Sequence, residues 1–99
     1  MADDRQIATA QANGQSTGVE ISRFGHLFES HLRTLFVWGT FDSATVIYQI
    51  SFDNTNWFNV ANADSITVAT AINVEHRAQY HRISVSGGVS VESINALVV

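Results

Sequence analysis

The sequence predicts an all-β protein: a single β-sandwich or jelly-roll-like domain carrying an extended N-terminal arm. Three observations carry that expectation. From Val19 onward Val, Ile, Thr, Phe, Tyr and Trp dominate, and no window holds apolar residues at a 3.6-residue period. These runs are short, closely spaced and separated by Gly, Asn, Asp and Ser, the pattern of a sandwich rather than of strands alternating with helices. The chain has 99 residues, close to the commonest size of one domain and enough to bury a core without covalent staples.

The elements follow in order. Residues 1–18 are small and polar, with Ile7 the only large aliphatic side chain. Such a stretch cannot order itself by burial. It is expected to be an extended arm, with a short strand at 6–10 and a turn at Asn13-Gly14, that orders only by lying on something else. The sandwich is expected over 19–99, with strands near 19–22, 31–38, 45–52, 57–61, 65–69, 79–85 and 89–98. Proline is absent, so the turns rely on glycine and asparagine.

The strand at 31–38 is apolar on both faces: Leu32, Phe36 and Trp38 on one, Leu35 and Val37 on the other. One face can line the core; the other needs a cover. Around Asp53–Asn56 an odd-numbered loop centred on Asn54 or Thr55 brings Tyr48, Ile50, Phe52, Phe58 and Val60 to one face. Trp57 then lies opposite or folds over the turn, and Asp53 accepts backbone N–H bonds within it. Around Ser86-Gly87-Gly88 a three-residue loop is expected to pair Val85 with Val89 and Ile83 with Val91. That register would set Arg82 across from Glu92.

Composition limits the function classes. There is no cysteine, which excludes disulfides, zinc-thiolate sites and thiol catalysis. The opening MADDRQIATAQANGQS has neither a cationic leader nor an apolar run. No apolar run approaches the ~20 residues of a membrane-spanning helix. Only 14% of residues are charged, against about 25% in a typical soluble domain. All five basic residues are arginine and the formal net charge is −4. That balance argues against a nucleic-acid surface. Lysine protects exposed sheet edges and is depleted in interfaces, so its absence suggests a surface partly covered by partners.

Candidate chemistry is sparse. His26 and His31, and His76 and His81, are five apart, which puts the members of each pair on opposite faces of a strand. They are expected to be surface or interface histidines; the grouping of His26, Glu29 and His31 is the nearest to a metal site and is not adopted. No G-x-S-x-G nucleophile elbow occurs. The acids Asp42, Asp53 and Asp64 all fall in expected turns. No catalytic, metal or cofactor-binding residue is therefore assigned. Trp38, Trp57, Phe58 and Tyr80 could form a sugar-stacking platform if exposed, though core roles are commoner for such side chains.

Ser51-Phe52-Asp53-Asn54-Thr55-Asn56-Trp57 resembles a shortened Asp-box hairpin, a fold feature of sialidase propellers, occurring once and without its glycine. A longer ordered set also stands out: N-G-Q-S-T-G-V at 13–19, G-T-F at 39–41, A-T-V at 44–46, S-F-D…W-F-N-V at 51–60 and Y-H-R-I-S-V-S-G-G at 80–88. Together these resemble small β-sandwich structural proteins of tailed-phage virions. The resemblance implies a non-enzymatic capsid decoration (cement) protein. Such a protein would assemble in the host cytoplasm as a homotrimer and bridge copies of the major capsid protein on the virion surface. It implies no cofactor, small-molecule substrate, nucleic acid or membrane. The interface residues expected on this reading are Arg5, Gln6 and Ile7 on the arm, Leu35 and Val37 on the doubly apolar strand, and Trp57. The alternative is a neck, tail or head-fibre module that binds a host-surface glycan or another virion protein.

Overall fold

Period-two alternation of apolar and polar side chains sorts the chain into two antiparallel sheets. The computed structural model describes residues 5–20, 32–75 and 78–99. Among these lie strands β1 (Arg5–Gln11), β2 (Gly14–Gln15), β3 (Val19–Glu20), β4 (Leu32–Thr40), β5 (Thr45–Ser51), β6 (Trp57–Asn59), β7 (Thr70–Glu75), β8 (Tyr80–Ser86) and β9 (Ser93–Val98). A short 3-10 turn, η1 (Ala61–Ala63), precedes β7. The first sheet has the order β1-β9-β4-β7. The second has the order β2-β8-β5-β6, with β3 also pairing β8.

The core lies between the sheets. From the first come Ile7, Leu35, Val37, Val74, Ile94, Ala96 and Val98; from the second Val46, Tyr48, Ile83 and Val85. Register brings these rows together: β4 pairs β9 with Leu35 opposite Val98 and Val37 opposite Ala96, and β5 pairs β8 with Val46 opposite Val85 and Tyr48 opposite Ile83. All-β architecture and the two-sheet sandwich are thus as expected from the sequence.

The described part of the N-terminal segment, residues 5–18, lies on the sandwich itself. β1 adds to β9 as an edge strand, Arg5 opposite Val98 and Gln6 opposite Leu97. Ile7 is 2% exposed and belongs to the core. The chain then changes sheets near Asn13, and β2 pairs β8 with Gly14 opposite Val85. Ser16 seals this crossing: its N–H donates to the Ile83 carbonyl at 2.9 Å, and its Oγ accepts the Ile83 N–H at 2.9 Å.

Two local expectations are corrected. The hairpin expected at Ser86-Gly87-Gly88 does not form, because β8 and β9 belong to opposite sheets. β8 already has β5 along one edge and β2 and β3 along the other, so no edge is left for a returning strand. Residues 87–92 cross between the sheets instead, leaving Val89 and Val91 exposed. The strand expected at 65–69 is reduced to one bridge between Val46 and Ile66. The strand falls at β7, where Ile72 and Val74 point inward between exposed Ala71 and Asn73. The outer half of the expected 19–22 strand lies outside the described residues.

A core position for Ile7 has a measurable consequence. Ile7→Ala is expected to lower unfolding free energy by about 2–4 kcal/mol in a urea titration with unchanged slope. A side chain on a free arm would give no change.

Candidate interaction site

Each sheet has an outer face, and the two differ in chemistry. On the second sheet this face is polar and interlocked. β5 and β6 form a hairpin with Ser51 opposite Trp57 and Ile50 opposite Phe58, centred on Asn54 as the sequence predicts. Asn54 has φ +62°, a left-handed conformation that asparagine tolerates.

Asp53 organises the turn. Its Oδ1 accepts the backbone N–H of Thr55 at 3.0 Å and of Asn56 at 2.8 Å. Asn56 Nδ2 donates to Oδ2 at 2.7 Å, and the Ser51 hydroxyl donates to Oδ1 at 3.0 Å. Ser51 Oγ in turn accepts the Asn54 N–H at 2.8 Å. The backbone donors of Asn56 and Thr55, helped by the Asn56 and Ser51 side chains, hold the Asp53 carboxyl down at about 2.

Trp57 caps this hairpin. It lies on the outer face with the Arg82 guanidinium 4.3 Å from its ring centroid. Arg82 is fixed by donation from Nε to Gln49 Oε1 at 2.7 Å. A Cβ on Gly18 would come within 2.8 Å of the Trp57 ring, so only glycine fits there. Trp57 is half-buried and spends its surface on its own domain.

The outer face of the first sheet is different. Phe36 and Trp38 on β4 are each 40% exposed. Leu97 on β9 stands beside Phe36, and Asn95 beside Trp38. Across β7, Ala71 is opposite Phe36 and Asn73 opposite Thr34. The central rows of this face, Thr34 to Thr40, Ala71 to Asn73 and Ser93 to Leu97, carry no ionisable side chain.

These positions revise the interface expected from sequence. Leu35 and Val37 are 0% and 1% exposed. With Ile7 they form core and cannot present a surface. The covered and uncovered faces of β4 are the reverse of that expectation, and the apolar side chains turned outward are Phe36 and Trp38. Gln6 is exposed, but its Nε2 donates to the Ala8 carbonyl at 2.7 Å within its own strand. Arg5 opens β1 at the sheet edge.

The sugar-stacking grouping is also dispersed. Trp38 is on the outer face of the first sheet, Trp57 and Tyr80 on that of the second, and Phe58 on the opposite side of β6. The odd loop brings Phe52 and Phe58 to one face as expected, but as an exposed pair rather than as part of the core. Their centroids are 6.3 Å apart and they are 68% and 55% exposed. They continue the inward-facing row of Tyr48 and Ile50 beyond the Ser51 end of β5, so the alternation that marked them as core also placed them past it.

His81, expected at a surface, is fully buried. Its Nδ1 lies 2.7 Å from the Tyr48 hydroxyl, and the two rings stack with centroids 6.0 Å apart. Burial pushes the Tyr48 phenol up, partly opposed by the charge of Arg33. His26, Glu29, His31 and His76 lie outside the described residues. Among the described residues no group of three potential ligands could hold a metal ion. A groove of about 270 Å³ beside η1 is lined by Asn62, Asp64, Ser65, Thr67 and Thr70 over Ile66. Asp64 is the one ionisable group among its described lining, so no acid–base pair converges there. Among the described residues no helix is long and apolar enough to cross a membrane. Comparison with known proteins finds no matching family model, curated protein or solved structure.

Two variants test the hairpin. Trp57→Ala is expected to cost about 2 kcal/mol through lost packing and cation–π contact, read from thermal or urea unfolding. For Asp53 the folded value lies below the ordinary 3.8. Its contribution is therefore present above that value and lost as pH falls through about 2. The urea midpoint of Asp53→Asn should fall below that of the parent at about pH 6 and approach it at about pH 2.

Proposed function

We propose that this chain is a non-enzymatic structural subunit of a tailed-phage virion, a capsid decoration protein. It assembles in the host cytoplasm and binds the major capsid protein as a homotrimer. The observation that carries this reading is the outer face of the first sheet, where Phe36, Trp38 and Leu97 sit among Thr, Ser and Asn with no charge. Large apolar groups on a charge-free patch favour association by burial, and no desolvated ion opposes it. Lysine is absent from the whole sequence, and the ordered motifs from N-G-Q-S-T-G-V to Y-H-R-I-S-V-S-G-G point the same way.

Mechanically the role is passive. A rigid sandwich lays this face on neighbouring shell subunits, and many weak contacts repeated by symmetry add up to resistance against pressure from within. The bridging surface on this reading is the β4–β9 face. The arm is not required for it, since its described part is already committed to the fold.

The test is co-sedimentation of the purified chain with shells of the major capsid protein from the same virion, together with its solution mass by light scattering. A trimer that binds, and a Trp38→Glu variant that keeps its melting temperature but loses at least ~10-fold in binding, would support the reading. A monomer that fails to bind shells would overturn it.

A second reading, a fibre module that binds a host-surface glycan, is favoured by the exposed Phe52–Phe58 pair. Aromatic faces of this kind can stack on the apolar side of a sugar ring. Glycan binding abolished by Phe52→Ser and untouched by Trp38→Glu would favour it over the first.

A further inference from the structure

Asn13-Gly14 is the single Asn-Gly dipeptide in the sequence. It sits where the chain passes from the first sheet to the second. In any polypeptide this pair is prone to lose its side-chain amide. Glycine has no Cβ to block the approach of its nitrogen to the preceding side chain, and its backbone reaches the required conformation freely.

The surroundings of Asn13 give that chemistry a consequence. Asn13 Nδ2 donates to the Gly88 carbonyl at 2.9 Å, and Asn13 Oδ1 accepts the Gly88 N–H at 3.0 Å. The side chain thus mimics a strand partner for one residue of the crossing loop 87–92. The backbone N–H of Asn13 donates to Glu92 Oε2 at 3.1 Å. The other oxygen, Glu92 Oε1, is buried and has no hydrogen-bond partner among the described residues. The Glu92 side chain lies directly against Gly88, where an added Cβ would be 2.5 Å from its Cδ.

We propose that Asn13 is a latent modification site whose spontaneous deamidation releases the 87–92 crossing. The Gly14 nitrogen forms a bond to Asn13 Cγ; the Cγ–Nδ2 bond breaks, and ammonia leaves with the proton from Gly14. Water then opens the five-membered imide at either carbonyl, giving a carboxylate on aspartate or isoaspartate. In the folded chain this closure is held off. The Asn13 amide is pinned to Gly88 while Gly14 is paired with Val85 in β2, so ring closure requires that corner to open first.

Once formed, the carboxylate has an oxygen where Nδ2 stood, facing the Gly88 carbonyl and close to a second carboxylate with an unpartnered buried oxygen. Acceptor meets acceptor and like charge meets like charge. The Asn13 half of the clamp on the crossing loop is lost. The half supplied by Asp42 remains, whose Oδ2 accepts the N–H groups of Ser90 at 2.8 Å and Val91 at 2.9 Å.

Peptide mapping by mass spectrometry after incubation in mildly alkaline buffer measures the modification in the intact chain, folded and in denaturing urea. The folded chain is expected to modify residue 13 at least ~10-fold more slowly, because only the opened fraction reacts. Equal rates would overturn the protection. The variant Asn13→Asp is expected to melt about 5 °C lower at neutral pH. That deficit should shrink as pH falls and the new carboxyl regains a proton to donate. Adding Glu92→Gln should recover part of it. An Asn13→Asp melting temperature equal to that of the parent, or a deficit independent of both pH and Glu92, would overturn the release.

Discussion

Strand β8 has neighbours along both edges, and most of the architecture depends on that. β5 runs along one edge in seven-residue register from Thr45 opposite Ser86 to Ser51 opposite Tyr80. β2 and β3 divide the other between them. A chain leaving β8 at Ser86 has no free hydrogen-bonding edge beside it, so it must change sheets. β9 then inserts between β1 and β4, completing the first sheet. The crossing carries exposed valines and relies on polar clamps. Asp42, in a left-handed turn at φ +49°, takes the N–H groups of Ser90 and Val91, and those bonds, Val91 foremost, lower its carboxyl below the usual range.

What was legible in the sequence was whatever local spacing decides. The hairpin around Asp53 is fixed by residues within seven positions of one another: Ser51, Asp53 and Asn56 make their bonds to near neighbours, and the odd loop sets the faces of Phe58 and Trp57. The same local logic failed at Gly87-Gly88. Val85, Val89, Ile83 and Val91 alternate well enough for a hairpin, but whether an edge is available depends on residues 14–20, far away in sequence. β4 failed differently. Apolar side chains on both faces leave the pleat without a preferred direction, and the direction is chosen by Ile94, Ala96 and Val98 across the register. Ile7 was hidden because it and its neighbour Ala8 are both buried where the β1–β9 register shifts, so β1 shows no period-two alternation to detect. His81 was hidden because its partner, the Tyr48 hydroxyl, lies on another strand.

The two outer faces divide the labour between stability and contact. On the second sheet Gln49, Arg82 and Trp57 satisfy one another, so the face is covered by its own side chains. On the first sheet Phe36 and Trp38 stand among short uncharged groups that do not reach over them. Burying a charge-free surface costs little in desolvation, and nothing on it would repel a like-charged copy of an acidic chain. The usual safeguard against strand addition, a lysine on the edge, is missing throughout the sequence.

The position of β9 also governs when the fold can form. It is the inner partner of both β1 and β4, yet it follows every other strand in sequence. As the chain emerges during synthesis, β1 and β4 each wait with an unpaired edge, and the apolar row of Leu35 and Val37 waits with them. Residues some ninety positions apart, Arg5 and Val98, must meet before the sheet closes. Pairing at such separation is slow and leaves edges open to neighbours in the meantime. The first sheet is therefore a structure that closes only after translation of its last strand.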